Sequence, residues 1–558
     1  MNASARLIYL PLGGAGEIGM NCYVYGYGPE NAERFVLVDI GVSFPDMDGQ
    51  PGVDVILPDI AWLEARADRL DGIFITHAHE DHLGALGHLW ARLGCTVYAR
   101  RFTAIHAARK LEEAGHDPDA ILRICEPYPE ALEAGPFTVS FAPVSHSIPE
   151  ASGLVIDTPA GRIVHSGDFK IDTDPIVGEP FDADMWRQIG DAGVAALICD
   201  STNVFSEHPG RSESQLAGPI GQLVANANGM VVATTFASNV ARLKTLAEAG
   251  HAAGRTICLL GRAMKRMVTA SVEAGVLTDF PPTVSPEDAT EIPRENLMLL
   301  VTGSQGERRA ASAALARGSY LGHELTAGDT FLFSSKTIPG NEIGVARIQN
   351  ALAEQGVDVI DGEAGFFHVS GHANRPDLET MHTLLRPQIL VPNHGEYRHL
   401  QRHARVAEKS GLLGLIAANG TMLSLSGNQP GPVEHIEVAR TYLDGSALVG
   451  AFDGVIRDRM KLALNGLVVV ALVVDEEDAI LEDSWVSLRG LPEVTGDGAD
   501  LAELIEDSIA EMLPRLDDRT VENDDKLDEA ITRAARQICQ AEIGKRPEVT
   551  VMVSRLMA

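Results

Sequence analysis

Short apolar runs punctuated by glycine, proline and acidic residues dominate the chain, a pattern that reads as strands and turns more than as long helices. Leu7-Ile8-Tyr9-Leu10, Cys22-Tyr23-Val24-Tyr25, Phe35-Val36-Leu37-Val38-Asp39 and Ile73-Phe74-Ile75 predict successive strands. Between the first two lies Gly13-Gly14-Ala15-Gly16-Glu17-Ile18-Gly19-Met20-Asn21, whose glycines permit a tight backbone path beside a ligand or another strand. It is not a phosphate loop: no Lys-Ser/Thr ends it, and a strand follows where a dinucleotide fold needs a helix. Residues 41–59 read as a Pro/Gly/Asp loop and 60–70 have helical periodicity. Strands meeting turns first and helices later suggest two sheets packed between helices. Met230-Val231-Val232-Ala233-Thr234 and Leu297-Met298-Leu299-Leu300-Val301 read as buried strands, and 240–249 as a helix between them, which predicts a parallel α/β layer. After Gly427-Asn428-Gln429-Pro430-Gly431-Pro432 a linker is expected, and from 465 on strands over 467–474 and 549–553 and helices over 501–512 and 525–541 predict a small α/β unit.

One predicted strand stops at Thr76-His77-Ala78-His79-Glu80-Asp81-His82, a buried strand delivering imidazoles and carboxylates from its end. Neighbouring side chains diverge, so these residues cannot all face one ion. His77 and His79 can converge on one centre while Asp81 and His82 turn toward a second, and the spacing therefore argues for two metals. Imidazole and carboxylate donors without thiolate suit zinc or manganese and leave positions open for water. A histidine-rich helix N-terminus is the alternative. The same grammar of strand then ligand recurs at His146, at Asp168 after Gly167, and at His394. A carboxylate has two oxygens, which suits Asp168 to bridging two cations.

Composition narrows the picture. At 558 residues the chain predicts two to four domains. Its six cysteines are scattered without a Cys-x-x-Cys pair, which indicates neither a disulfide framework nor a thiolate zinc site. No stretch approaches a membrane span and the first ten residues hold no long apolar core, so a cytoplasmic protein without membrane attachment is expected. The formal net charge of −33 weighs against a nucleic-acid binder without excluding one. Charge acts over a Debye length of about 8 Å, so a basic or metal-lined groove can work on an acidic body.

His77-x-His79-x-Asp81-His82 followed by His146, Asp168 and His394 resembles the metallo-β-lactamase fold. Asp200 in Cys199-Asp200-Ser201-Thr202-Asn203 and the run Phe367-His368-Val369-Ser370-Gly371-His372-Ala373 resemble its β-CASP nucleic-acid-processing branch. The segment from Gly13 to Gly19, Thr235-Phe236-Ala237-Ser238-Asn239, Thr302-Gly303-Ser304-Gln305-Gly306-Glu307 and Ile338-Pro339-Gly340-Asn341-Glu342 are similar to the bacterial ribonuclease J family over nearly the whole chain. The resemblance implies an α/β protein: a metallo-β-lactamase αββα sandwich with an inserted parallel α/β β-CASP domain and a small C-terminal α/β domain. The expected divisions are 1–210, the inserted 211–365, the returning 366–464 with its linker, and 465–558.

The resemblance also implies roles. Two zinc ions, with manganese or magnesium as alternatives, would be held by His77, His79 and His146 and by Asp81, His82 and His394, sharing Asp168 and a water that ionises near neutral pH. Asp81 and Asp200 join His372 as catalytic residues, Asp200 orienting a metal-bound histidine and His372 acting as general acid. His368, Val369, Ser370, Gly371 and His372 would hold the scissile phosphate. A 5′-phosphate pocket would be built from Thr235, Ser238, Asn239 or the neighbouring Gly/Ser loops, whose neutral donors can bind a phosphate without many lysines. A structural calcium ion near Asp54 and Asp444 is a further expectation, with solvated turn aspartates as the alternative. The implied activity is hydrolysis of single-stranded RNA, 5′-to-3′ with a preference for a 5′-monophosphate and also internally, in RNA processing and decay. A homodimer or homotetramer and partners in RNA degradation are implied as well. A β-CASP DNA nuclease, a small-molecule metallohydrolase of the same fold and a non-catalytic scaffold are the rival readings.

Overall fold

The computed structural model describes residues 5–45, 49–362, 364–474 and 484–556, and the chain divides into two compact units. The first unit, Met1–Phe44 with Val55–Thr441, contains three large sheets. Arg6–Gly13, Cys22–Gly28 and Arg34–Val38 form an antiparallel meander, and Leu70–Ile75 joins parallel to the third of these strands. Alternate residues of this sheet (Leu7, Tyr9, Tyr23, Tyr25, Val36, Val38, Phe74) face one core. The opposite wall of that core comes from a seven-stranded sheet through Phe137, Val139, Phe141, Leu154, Ile156, Ile163, Ala196, Ile198, Ile389 and Val391. The period of two is what lets each strand give one set of side chains to the shared core and the other to covering helices. Leu89 and Leu93 of the helix Leu86–Leu93 are buried, as are Leu400 and Val406 of the helix Tyr397–Lys409. The layers are those of the αββα sandwich expected from the pattern.

A six-stranded sheet lies within the same unit, and every pairing in it is parallel: Thr283–Val284, Thr256–Leu260, Leu297–Val301, Val231–Thr234, Thr330–Phe333 and Asp358–Ile360, in that spatial order. Its central strands are buried throughout, as a parallel sheet covered on both faces requires. One buried ion pair ties this layer to the chain on either side of it. The guanidinium of Arg242 donates to Glu213 at 2.9 and 3.0 Å, to the Ser334 carbonyl at 2.6 Å and to the Phe367 carbonyl at 3.3 Å. Glu213 precedes the sheet and Phe367 follows it.

The second unit, Pro45–Asp54 with Tyr442–Ala558, is built on the strand Leu467–Val474, paired antiparallel to Trp485–Arg489 and parallel to Glu548–Arg555. Val468, Val470, Leu472 and Val474 face the buried sides of the helices Leu501–Met512 and Asp524–Ile543. Two sequence expectations shift. The helix expected over 60–70 is one turn, Ala61–Glu64, followed by a 3₁₀ turn, because Arg66 leaves helical geometry (φ −130°) and folds over the Trp62 ring at 4.1 Å. The linker expected after Pro432 begins instead inside a strand, Gly431–His435, which overlaps the glycine-proline run and pairs with Thr421–Ser424 as the edge of the first sheet. Among the described residues, no helix is long and apolar enough to cross a membrane.

Removing one partner of a buried ion pair strands the other charge without solvent, at a cost of about 3–5 kcal/mol. Arg242→Met is expected to destabilise the first unit by that amount in urea unfolding, and the double change with Glu213→Gln by less. A loss below about 1 kcal/mol for the single change contradicts the anchoring role.

Candidate metal centre

Seven of the side chains singled out above come together where strands of the two sandwich sheets end. His77 follows Leu70–Ile75, His79 precedes the one-turn helix Glu80–Leu83, and that helix carries Asp81 and His82. His146, Asp168 and His394 follow Phe137–Pro143, Gly161–His165 and Ile389–Asn393. His77, His79, His146 and Asp168 form one group whose donor atoms all lie within 4.8 Å of one another, and Asp81, His82, Asp168 and His394 form a second. Asp168 belongs to both.

The spacings test whether a cation fits. His79 Nδ1 lies 3.1 Å from His77 Nε2 and 3.2 Å from His146 Nε2. Tetrahedral zinc with bonds of about 2.0–2.1 Å separates its imidazole nitrogens by about 3.3 Å, so this spacing is that of ligands around one ion. In the second group His394 Nε2 sits 3.2 Å from Asp81 Oδ2 yet is buried without a hydrogen bond of acceptable geometry. His82 Nε2 lies 3.2 Å from Asp168 Oδ2. A buried ring nitrogen left without a hydrogen bond among carboxylates is what a metal-ligand position looks like, and the imidazole and carboxylate donor set fits divalent cations.

Electrostatics separates the groups. Burial, reinforced by neighbouring imidazoles, pushes His77 and His146 well below the ordinary histidine value, and burial brings His79 to about 4. Those imidazoles are neutral and ready to ligate. Burial acts in the same sense on His82 and His394, but Asp168 and Asp81 outweigh it, lifting His82 well above its usual value and His394 to about 10. A cation entering the second group must displace protons, so its binding strengthens as pH rises.

Groups outside the ligand set hold it in place. Asp39, which the sequence reading passed over, is fully buried and its Oδ2 lies 2.7 Å from His82 Nδ1. Thr76 donates to Asp39 through its N–H at 2.7 Å and its hydroxyl at 2.9 Å. A carboxylate behind an imidazole fixes the tautomer that leaves Nε2 free to ligate. Asp39 ends a strand just as the ligands do, which was the available signal. Asp39 and His394 both adopt positive φ, 61° and 45°, a conformation unusual outside glycine and concentrated at functional sites.

The segment His368 to His372 lies against the same centre. The Gly371 carbonyl is 2.7 Å from His146 Nδ1, and a Cβ on that glycine would meet His146 Cε1 at 2.9 Å. His372 Nδ1 is 2.8 Å from Asp200 Oδ2, making His372 the close partner of Asp200, while His394 Nδ1 is 3.8 Å from the other Asp200 oxygen. Burial lowers His372, but Asp200 and then Asp168 outweigh it, so His372 is raised above the ordinary value. Burial and Arg242 hold His368 at about 3, which makes it neutral at physiological pH. Val369 packs in an apolar cluster of the parallel layer. Ser238 Oγ lies 3.1 Å from His79 Nε2. The Asn239 amide is engaged below the surface, accepting from Arg242 N and donating to Glu213. Thr235 donates its hydroxyl to the Ser334 carbonyl. In the second unit, Asp54 accepts from Gly445 N at 2.8 Å and Asp444 pairs with Arg459.

Comparison with known proteins places this architecture. Residues 35–197 match a beta-lactamase superfamily domain, 228–352 the ribonuclease J beta-CASP domain, 362–416 a Zn-dependent metallo-hydrolase RNA specificity domain and 454–556 the ribonuclease J C-terminal domain. Ribonuclease J of Sinorhizobium meliloti is 42% identical over 567 aligned positions, covering 100% of this chain and 98% of that protein. The chain belongs to the ribonuclease J family. Ribonuclease J of Corynebacterium glutamicum is 34% identical over 89% of this chain and 70% of its own length, and ribonuclease J 1 of Streptococcus pyogenes 35% identical over 83% and 82%. As a ribonuclease J-family protein the chain is a nuclease of the metallo-hydrolase class.

Asp39→Asn keeps the size of the side chain but weakens the anchor of His82. It is expected to lower divalent-cation affinity about 10–100-fold, the usual cost of losing such a partner, in a chelator-competition titration. Wild-type affinity in a folded variant contradicts the anchoring.

Proposed function

We propose that this ribonuclease J-family chain hydrolyses single-stranded RNA, working 5′ to 3′ from a 5′-monophosphate end and also cutting internally, in cytoplasmic RNA processing and decay. What carries the reading is the two overlapping donor groups that share Asp168, with the His368-to-His372 segment lying against them. His77, His79 and His146 would hold one zinc ion and Asp81, His82 and His394 the other, with Asp168 facing both; manganese or magnesium are the alternatives. Cations bound there would ionise water near neutral pH and neutralise charge on the phosphate oxygens.

The remaining steps belong to the protein. Ser370 Oγ accepts hydrogen bonds from Asn203 Nδ2 at 2.8 Å and His372 N at 3.1 Å. Its own O–H is left to donate, and it binds a non-bridging phosphate oxygen. His368 stays neutral and, with Val369 and Gly371, shapes the seat of the scissile phosphate. His372 keeps its Nδ1 proton on Asp200 and gives its Nε2 proton to the leaving oxygen. Ser238 donates to the 5′-phosphate, and Asn239, its amide already engaged, supports the loop that presents Ser238. Boundaries near 210, 365 and 464 divide the chain into sandwich, insert, returning sandwich and C-terminal domain, and the protein assembles as a homodimer or homotetramer with RNA-degradation partners. A structural calcium near Asp54 and Asp444 would compete with Arg459 for Asp444.

A general acid works protonated. Because Asp200 and Asp168 raise His372 against the effect of burial, activity persists above the ordinary imidazole range and falls as pH rises through the raised value. Asp200→Asn is expected to move the alkaline limb of kcat/KM to lower pH, and His372→Ala to cost about 10²–10⁴-fold in turnover with metal content retained. An unmoved limb, or a fully active His372→Ala, contradicts the assignment. On one RNA prepared with 5′-monophosphate, 5′-hydroxyl or 5′-triphosphate, the monophosphate form is expected to be degraded fastest; equal rates on all three contradict the 5′ pocket.

A further inference from the structure

The glycine-rich segment ending at Asn21 takes no part in the chemistry above, yet it leads directly to the second donor group. Asn21 is fully buried, and its backbone N–H donates to the Asp81 carbonyl at 2.8 Å. Its side-chain Nδ2 donates to that carbonyl at 3.0 Å, and lies 3.3 Å from Asp81 Oδ2 and 2.9 Å from His82 Nε2. The Asp81 carbonyl and carboxylate beside this nitrogen decide which end of the amide is NH₂. At the other end, Oδ1 accepts from the buried hydroxyl of Tyr23 at 2.6 Å.

The glycines make this seating possible. A Cβ on Gly14 would lie 2.3 Å from the Tyr23 hydroxyl oxygen and 2.4 Å from Asn21 Oδ1, and one on Gly41 would lie 1.7 Å from the Asp81 carbonyl oxygen. A buried amide could be satisfied by main-chain carbonyls alone. This one instead faces the carboxylate of one second-group residue and the imidazole of another, and a tyrosine prevents it from turning over.

We propose that Asn21 is a positioning residue for the second cation: it fixes the directions in which Asp81 Oδ2 and His82 Nε2 point, and Tyr23 fixes Asn21. The inference rests on reading Asp81, His82, Asp168 and His394 as ligands of one ion.

The test titrates Zn²⁺ into full-length wild type, Asn21→Ala and Tyr23→Phe against a fluorescent chelator, with thermal unfolding of the same samples. Wild type takes up two ions. Asn21→Ala weakens one of them about 10–100-fold and leaves the other at its wild-type affinity, with Tyr23→Phe showing a smaller loss at the same site. Two wild-type affinities in both variants overturn the positioning role, as does an equal weakening of both sites that tracks a drop in unfolding temperature. Should Asn21→Ala not fold, Tyr23→Phe decides by the same criteria. A wild type that binds fewer than two ions sinks the two-cation reading and this inference with it, whereas unchanged variants of a two-ion wild type sink the inference alone.

Discussion

A carboxylate is the smallest side-chain group that can present one oxygen to each of two cations, and Asp168 occupies the position where two histidine-rich donor groups overlap. Fully enclosed negative charge is costly unless cations or hydrogen-bond donors surround it. Here burial raises the Asp168 carboxyl, while His394, His82 and His372 outweigh burial and hold it well below its usual value. The sandwich is built around that requirement. Strands from both sheets end at one level so that seven donors reach a common volume, and Asp39, Thr76 and Asn21 hold those donors from behind.

The parallel layer contributes more than surface. It touches the centre through the Ser238 contact with His79, and Arg242 ties its ends to Glu213 and Phe367. The segment that follows Phe367 supplies the Gly371 carbonyl to His146 and His372 to Asp200. A displacement of the layer is therefore a displacement of the groups packed against the donor cluster. That mechanical link gives a physical reason for carrying an inserted layer on a hydrolase sandwich.

The candidate donors were legible in the sequence because they follow apolar runs, four of them after Ile73-Phe74-Ile75 and His146, Asp168 and His394 after one run each, which brings them to the rims of the sheets. What supports them was not. Asp39 reads locally as any strand-end aspartate, and only the fold brings it to His82. Asn21 sits among glycines that suggest a turn; its partner lies sixty positions away. Asn239 illustrates the converse, since a polar residue at a loop end looks like a donor to ligand, whereas its amide caps a helix and meets Glu213. Strands meeting turns first and helices later pointed to two packed sheets, and uninterrupted apolar strands to the parallel layer. The helix expected over 60–70 was shortened by packing of Arg66 on Trp62, a contact that propensity does not register.

The most direct measurement is anomalous X-ray scattering at the zinc edge from crystals of the zinc-loaded protein. Two peaks about 3.5–4 Å apart are expected, one among His77, His79 and His146, the other among Asp81, His82 and His394, with Asp168 touching both. A single peak, or zinc seated elsewhere, such as at the buried trio Cys199, His382 and His403, would contradict a two-cation centre.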